Sequence, residues 1–225
     1  MITPNINFSI FMEYSFFLNL LTNLKEISLP GSVSHSLLAP PKRMDQVRST
    51  LKTSNKIKKA AVLLLLYPNA KDKVSFVLTR RKVYNGVHSG QISFPGGKPE
   101  KSDDNLWATA LRESHEEIGV SLDQIKYLRS LTELYVPPSN FLVIPFVGYS
   151  EKICVFKPDP TEVDVILEIS LQDLICKRPK ITKQATSSWG TINVPSYVFD
   201  HHEVWGATAM ILSEFKMLLT AQLFK

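Results

Sequence analysis

A chain of 225 residues, 44% hydrophobic and 21% charged, has the composition of a globular protein with enough apolar surface for one substantial core. Its net charge of +5 is modest, and no aromatics interleave with its basic clusters, which excludes a nucleic-acid stacking platform. Two cysteines, Cys154 and Cys176, are too few for a disulfide framework and lack the spacing of a zinc site, so a reducing cytoplasm is the expected compartment.

The first segment, "INFSIFMEYSFFLNLLTNL", lacks a basic leader and contains Glu13 and several Asn, which excludes both a signal peptide and a stable membrane anchor. Phe16, Phe17, Leu20, Leu21 and Leu24 recur at helical spacing, so an amphipathic helix packing on the domain is expected. Met12 is an alternative start that would leave residues 1–11 as an unstructured extension. "LPGSVSHSLLAPPKR" then reads as a linker or an extended arm. Residues 1–44 are accordingly an N-terminal extension and 45–225 the domain. Lys and Arg gather at 42–59 and 177–183, which favours an anionic ligand.

From there the pattern is that of a mixed sheet. "KAAVLLLLY" (59–67) reads as a central strand buried on both faces, and "VSFVLTRR" (74–81) returns beside it as a hairpin. "QISF" (91–94) is a short strand stopped by Pro95 and two glycines. "IKYLRSLTELYV" and "FLVIPFVGY" flank the turn "PPSN"; "VDVILEIS" and "VPSYVFD" add strands, and "GATAMILSEFKMLLTAQLF" a terminal helix. The fold class is α/β, a mixed sheet with helices on both sides.

Between these lies "GGKPEKSDDNLWATALRESHEEIGV", residues 96–120. Ser102 or Asp103 can cap a helix, Leu106, Ala110, Leu111 and Ile118 form its apolar side, and Gly119 can end it. Glu113 and Glu117 are one turn apart with Glu116 beside them, so three carboxylates share a face and repel. A hard divalent cation, Mg²⁺ or Mn²⁺, converts that repulsion into binding, because it takes carboxylate oxygens together with substrate phosphates. Arg112 is expected to point elsewhere and hold an acid of the preceding loop. The glycines allow close backbone approach, and a glycine carbonyl can add a metal ligand.

At Gly97, Arg112, Glu113, Glu116, Glu117, Gly119 and Val120 the sequence resembles the box of the Nudix hydrolases: Gly, five residues, Glu, seven residues, Arg-Glu, apolar, any, Glu-Glu, any, Gly, apolar. One extra residue between Gly97 and Arg112 lets the first acid fall on Asp103 or Asp104, and Ser114 stands at an apolar position. "LTRRKVYNGVHSGQISFPGGK", "YVPPSNFLVIPFVG", "EVDVILEISL" and "VWGATAMIL" are similar to the coenzyme A pyrophosphatase branch in the same order, over roughly residues 45–220. Where that branch often has Leu-Arg, this chain has Asn85-Gly86.

The resemblance implies a Nudix-type mixed sheet sandwiched between helices. It implies metal-dependent hydrolysis of the diphosphate of coenzyme A or acyl-CoA to 3′,5′-ADP and (acyl-)4′-phosphopantetheine. Alternatives are a pyrophosphatase for ADP-ribose, NADH or another nucleoside diphosphate derivative, and a non-catalytic binding protein; the intact glutamates oppose the latter. By the family's logic Glu113 and Glu117 are the principal metal ligands, Glu116 is a further ligand or orients water, and the Gly96 carbonyl completes the shell. The general base is Glu116 or Glu162. Arg81, His88, Gly97, Tyr135, Ser139, Asn140 and Phe141 are the substrate-facing candidates; His88 either donates to a phosphate or ties its loop, while Gln91 and Trp205 read as structural. A ribose 3′-phosphate needs a basic partner, for which Arg81, Lys82 and the residues near 42–59 are candidates. The small-molecule nucleotide is the expected partner, and the chain is a monomer or homodimer.

Overall fold

The apolar run at 59–67 lies inside strand β1 (Lys58–Pro68), in which every residue from Leu63 to Tyr67 is fully buried. Such burial requires neighbours on both edges and both faces, and the computed structural model supplies them; it describes residues 13–41, 43, 45, 47, 57–84, 86, 88–186 and 190–223. Expectations about residues 1–11, Met12 and Asn85 lie outside the described residues.

β1 is antiparallel to β2 (Val74–Arg81) and parallel to β7 (Phe141–Tyr149), in the sheet order β3-β2-β1-β7-β5 with β3 at Ile92–Ser93 and β5 at Lys126–Ser130. Three strands join off this path: β4 (Gly96–Gly97) on β1, β6 (Leu134–Val136) on β7 and β8 (Val163–Ser170) on β2. Side chains alternate across a strand, so β1 feeds two cores. Leu64 and Leu66 face helices α1 (Tyr14–Glu26) and α5 (Gly206–Leu223); Ala61, Leu63, Leu65 and Tyr67 face helix α3 (Leu106–Ile118). The expected sheet between helices is thus observed.

The N-terminal helix packs as expected, with Tyr14, Phe17, Leu21 and Leu24 buried in the α5-side core. The boundary drawn at residue 44 therefore separates no independent core among the described residues. The stretch read as linker or arm holds a short helix, α2 (Ser32–Leu37), which local composition does not favour. Tertiary bonds impose it: buried Glu214 of α5 accepts from Gly31 N at 3.2 Å and meets His35 Nε2 at 3.1 Å.

Other departures have similar causes. The run 125–136 is two strands, because β5 ends opposite Phe146 and β6 begins opposite Val143, leaving Pro145, which has no N–H for the ladder, between them. The "PPSN" turn is a 3₁₀ turn, Pro137–Ser139, followed by Asn140 at φ 56°. A second, three-stranded sheet contains β9 (Lys180–Thr186), β10 (Gly190–Phe199) and β11 (His202–Trp205). β9 escapes the sequence reading because Ile181 is 70% exposed and the strand has no apolar alternation to betray it. A short helix, α4 (Leu171–Cys176), follows β8, capped by Ser170 through Asp173 N. No helix among the described residues is long and apolar enough to cross a membrane. Cys154 and Cys176 are both free, the first buried and the second exposed.

Candidate active site

Two glycines of β4 lie against β1, with Ala61 opposite Gly97 and Val62 opposite Gly96. Gly96 has φ 145°, and a Cβ there would come within 2.3 Å of the Ala61 carbonyl, so only glycine fits. Its N–H donates to Glu117 Oε2 at 3.2 Å. At Gly97 a Cβ would fall 2.4 Å from Glu113 Oε2; the missing side chain is the space into which that carboxylate packs. Helix α3 presents both acids to this floor, Glu117 with 3% and Glu113 with 17% of its side chain exposed.

Helix α3 is capped by Asn105, whose side chain accepts from Ala108 N, rather than by Ser102 or Asp103. Asp103 is engaged elsewhere: its carboxylate accepts from Arg112 at 2.9 and 3.0 Å, from Thr109 Oγ1 at 2.9 Å and from Glu100 N at 2.8 Å. The Arg112 guanidinium holds the Asp103 carboxyl well below the usual carboxylate range. Asp103, not Asp104, is thus the acid that braces the loop. Arg112 does not point away from the other acids: it also donates to the Lys98 carbonyl at 2.9 Å, to Glu116 Oε2 at 2.9 Å and to Glu113 Oε1 at 3.2 Å. Glu116 consequently leaves the floor, its side chain 56% exposed, and the three glutamates are not equivalent. Gly119 ends the helix at φ 66° as expected, and Ser114 is tolerated in the apolar slot because its hydroxyl donates to the Ala110 carbonyl at 2.6 Å.

A cavity of about 1200 Å³ opens above the glycines. Arg81, His88, Gly96, Gly97 and Glu113 line one part of it, and Tyr135, Ser139 and Phe141 another. Asn140 is not on the wall; it accepts from the Tyr135 hydroxyl at 2.8 Å and so sets that ring. His88 Nδ1 meets Gln91 Oε1 at 2.8 Å, which leaves Nε2 without a hydrogen while the ring is neutral, and burial lowers its pKa. That bond ties the loop to Gln91, while the ring also lines the cavity. Glu162 sits on the exposed turn before β8, its carbonyl accepting from Lys82 N at 2.9 Å.

The sequence matches the NUDIX domain over residues 57–186, the stretch that contains both glycines and all three glutamates. The chain belongs to the Nudix family. It is 31% identical over 175 residues to a Photorhabdus laumondii protein named "Uncharacterized Nudix hydrolase NudL", covering 78% of this chain and 87% of that one. It is 30% identical to Nudix hydrolase 15, mitochondrial, of Arabidopsis thaliana over 70% of this chain, and spans 57% of that protein's length. Among solved structures, the MutT protein of Methanosarcina mazei Go1 superposes with a TM-score of 0.48 at 18% identity, over 74% of this chain and 99% of that one, a likeness too loose to argue from.

In this Nudix domain the electrostatics of the floor call for a cation. Burial pushes the Glu117 carboxyl up to about 7; Arg81, at 3.5 Å, and the Gly96 N–H oppose the rise, while the charges of Glu113 and Glu162 add to it. Burial likewise raises Glu113, against the pull of Arg112 and with Glu116 and Glu162 adding. Among the described residues no three His, Cys, Asp or Glu side chains already gather as a preformed metal cage. Glu113 and Glu117 nevertheless offer carboxylate oxygens of the kind Mg²⁺ and Mn²⁺ take, on a floor cleared by glycine. The residues present fit the group.

One consequence concerns pH. Folded, metal-free protein keeps the Glu117 proton up to about 7, whereas an ordinary carboxyl loses it at 4.5, so the folded state binds more protons between these values and stability falls as pH rises through them. The loss is on the order of 3 kcal/mol. Melting in chelator at pH 5 and pH 7.5 should show a smaller drop for Glu117→Gln than for the wild type; equal drops would place the titration elsewhere.

Trp205, read from the sequence as structural, lines the cavity at the entry to α5, as do Thr208 and Ser93, which the sequence did not single out and of which Ser93 has a buried hydroxyl with no hydrogen-bond partner among the described residues. Trp205 is half-buried on the cavity wall instead of filling a core. Its distance in sequence from the box hides it; only the packing of β11 beside β3 brings it there.

Proposed function

We propose that the protein hydrolyses the diphosphate of coenzyme A or acyl-CoA to 3′,5′-ADP and (acyl-)4′-phosphopantetheine. The observation that carries this reading is the cavity: Glu113, Gly97 and Arg81 stand at one place on its wall, and apolar Val143, Ile192, Met210 and Ile211 stand at others, so one ligand can lay a diphosphate on the glutamates and a long flexible arm along apolar surface. The resemblance of residues 45–220 to the coenzyme A branch supports the same substrate.

Glu113, Glu117 and the Gly96 carbonyl would hold the cation. A divalent cation there supplies neutralisation of the diphosphate charge and a lowered pKa for water. Arg81 neutralises the buried Glu117 and offers its remaining N–H groups to a phosphate oxygen. Arg112, by bonding Lys98 and Asp103 at once, fixes the loop over which the diphosphate lies. Glu162 accepts the proton of the attacking water: it is exposed on its turn and near enough that its charge raises both Glu113 and Glu117, whereas Glu116 is held by Arg112. The cytoplasm is the proposed compartment.

The test is kcat/KM for coenzyme A, dephospho-coenzyme A and ADP-ribose side by side. Coenzyme A is expected to lead dephospho-coenzyme A by about tenfold or more, as a well-placed contact to a charged phosphate contributes. A clear lead for ADP-ribose would overturn the substrate while leaving the family intact.

A further inference from the structure

We propose that Arg43, Lys58 and Lys98, gathered around Phe141 and Tyr135, form a second phosphate subsite that reads a phosphate monoester on the ribose of the bound nucleotide. The inference rests on the reading of the substrate as a nucleoside diphosphate derivative and adds the residues that select among such substrates.

Of the residues expected to meet this phosphate, Arg81 is committed elsewhere, since its Nη1 lies 3.5 Å from Glu117 Oε1 at the carboxylate floor. Lys82 is exposed and neither lines the cavity nor, among the described residues, stands over a ring of its wall. Arg43 does line it. Its guanidinium is partly buried and donates to the Tyr135 carbonyl at 2.6 Å, and among the described residues no carboxylate lies within ion-pair distance. A desolvated guanidinium is costly unless an anion meets it. Burial indeed lowers the Arg43 pKa.

Two ammonium groups join it. Lys58 Nζ stands 6.0 Å and Lys98 Nζ 5.6 Å from the centroid of the Phe141 ring, each within cation–π reach; Lys98 lines the cavity, while Lys58 is exposed and off its wall. Neither has a carboxylate partner among the described residues, and Glu100, the acid on the same part of the wall, pairs with none of the three. Arg43 and Lys98 on the cavity wall, with Lys58 beside the same Phe141 ring, are cations that no acid neutralises among the described residues, and such a group is a receptor for a dianion.

The strand register sets the distance. Ala61 lies opposite Gly97, the residue against which Glu113 packs, and Lys58, three residues earlier on β1, lies opposite Phe141. Three residues of strand span about 10 Å. An odd spacing sends the Lys58 and Ala61 side chains to opposite faces of β1, so the two sites communicate only through the cavity that Glu113, Lys98, Phe141 and Arg43 all line; a diphosphate on the carboxylate floor leaves the sugar and its phosphate to the Lys98 and Arg43 part of that wall. Lys98, directly after Gly97, reaches across the gap.

The test compares wild type, Arg43→Gln and Lys58→Gln, the last an exposed position that the fold does not need. Two ratios are read for each: kcat/KM for coenzyme A over dephospho-coenzyme A, and affinity, by calorimetry, for adenosine 3′,5′-bisphosphate over 5′-AMP. Wild type should favour the extra phosphate by about tenfold in both, and each variant should reduce the preference several-fold. Preferences unchanged in both variants would overturn the subsite. Should coenzyme A resist hydrolysis while the bisphosphate preference persists in wild type and falls in the variants, the subsite stands and the substrate reading fails; hydrolysis with variant-independent ratios means the reverse.

Discussion

Glu113→Gln and Glu117→Gln should each lower kcat by about a hundredfold or more while leaving the protein folded, a loss of about 3 kcal/mol of transition-state stabilisation. The amide keeps the shape of the side chain and, at Glu117, an oxygen that can still accept from Gly96 N. What it removes is the negative charge that retains a divalent cation beside the diphosphate. Without metal, Glu117→Gln should be at least as stable as wild type near neutral pH, because a buried carboxylate raised to about 7 is replaced by a neutral group. Lower activity therefore cannot be charged to unfolding. Near wild-type turnover of either variant at saturating Mg²⁺ or Mn²⁺ would remove these residues from the metal.

Phe17→Ala, far from the glutamates, should cost about 3 to 5 kcal/mol and lower the melting temperature by about 10 °C. Its side chain is fully buried and packs among Tyr14, Leu21 and Leu24 in the core shared with α5 and β1. Removing residues 1–40 altogether deletes this layer and also the Gly31 and His35 partners of buried Glu214, so it should abolish cooperative unfolding rather than shift it by the few degrees that a loosely docked helix implies. Deleting only residues 1–11 leaves those contacts in place and should change neither activity nor solubility. Melting of Phe17→Ala within about 2 °C of wild type would mean that the helix contributes little to the fold.

What the sequence disclosed depended on range. Glu113 and Glu117 were legible because a spacing of four on a helix and two preceding glycines are local facts, and the strand of 59–67 was legible because burial on both faces leaves an unbroken apolar run. Asp103 and Asp104 were indistinguishable as letters; the reach of Arg112 across the loop separates them. The same reach drew Glu116 out of the trio and freed the cap position for Asn105. Arg43 stood among many basic residues, and only the approach of its segment to Tyr135 singles it out. The helix at Ser32–Leu37 is imposed by a partner distant in sequence, Glu214, and the strand at Lys180–Thr186 by pairing with the adjacent β10, both against weak local preference.

The central claim, hydrolysis of a coenzyme A diphosphate at the Glu113 and Glu117 floor, is tested most directly by incubating the full chain and its Glu117→Gln variant with coenzyme A and Mg²⁺ or Mn²⁺ and identifying the products by mass. Wild type should yield 3′,5′-ADP and 4′-phosphopantetheine, chelator should stop the reaction, and the variant should form both products at least about a hundredfold more slowly. Intact coenzyme A with wild type, or equal product formation by the variant, would contradict it.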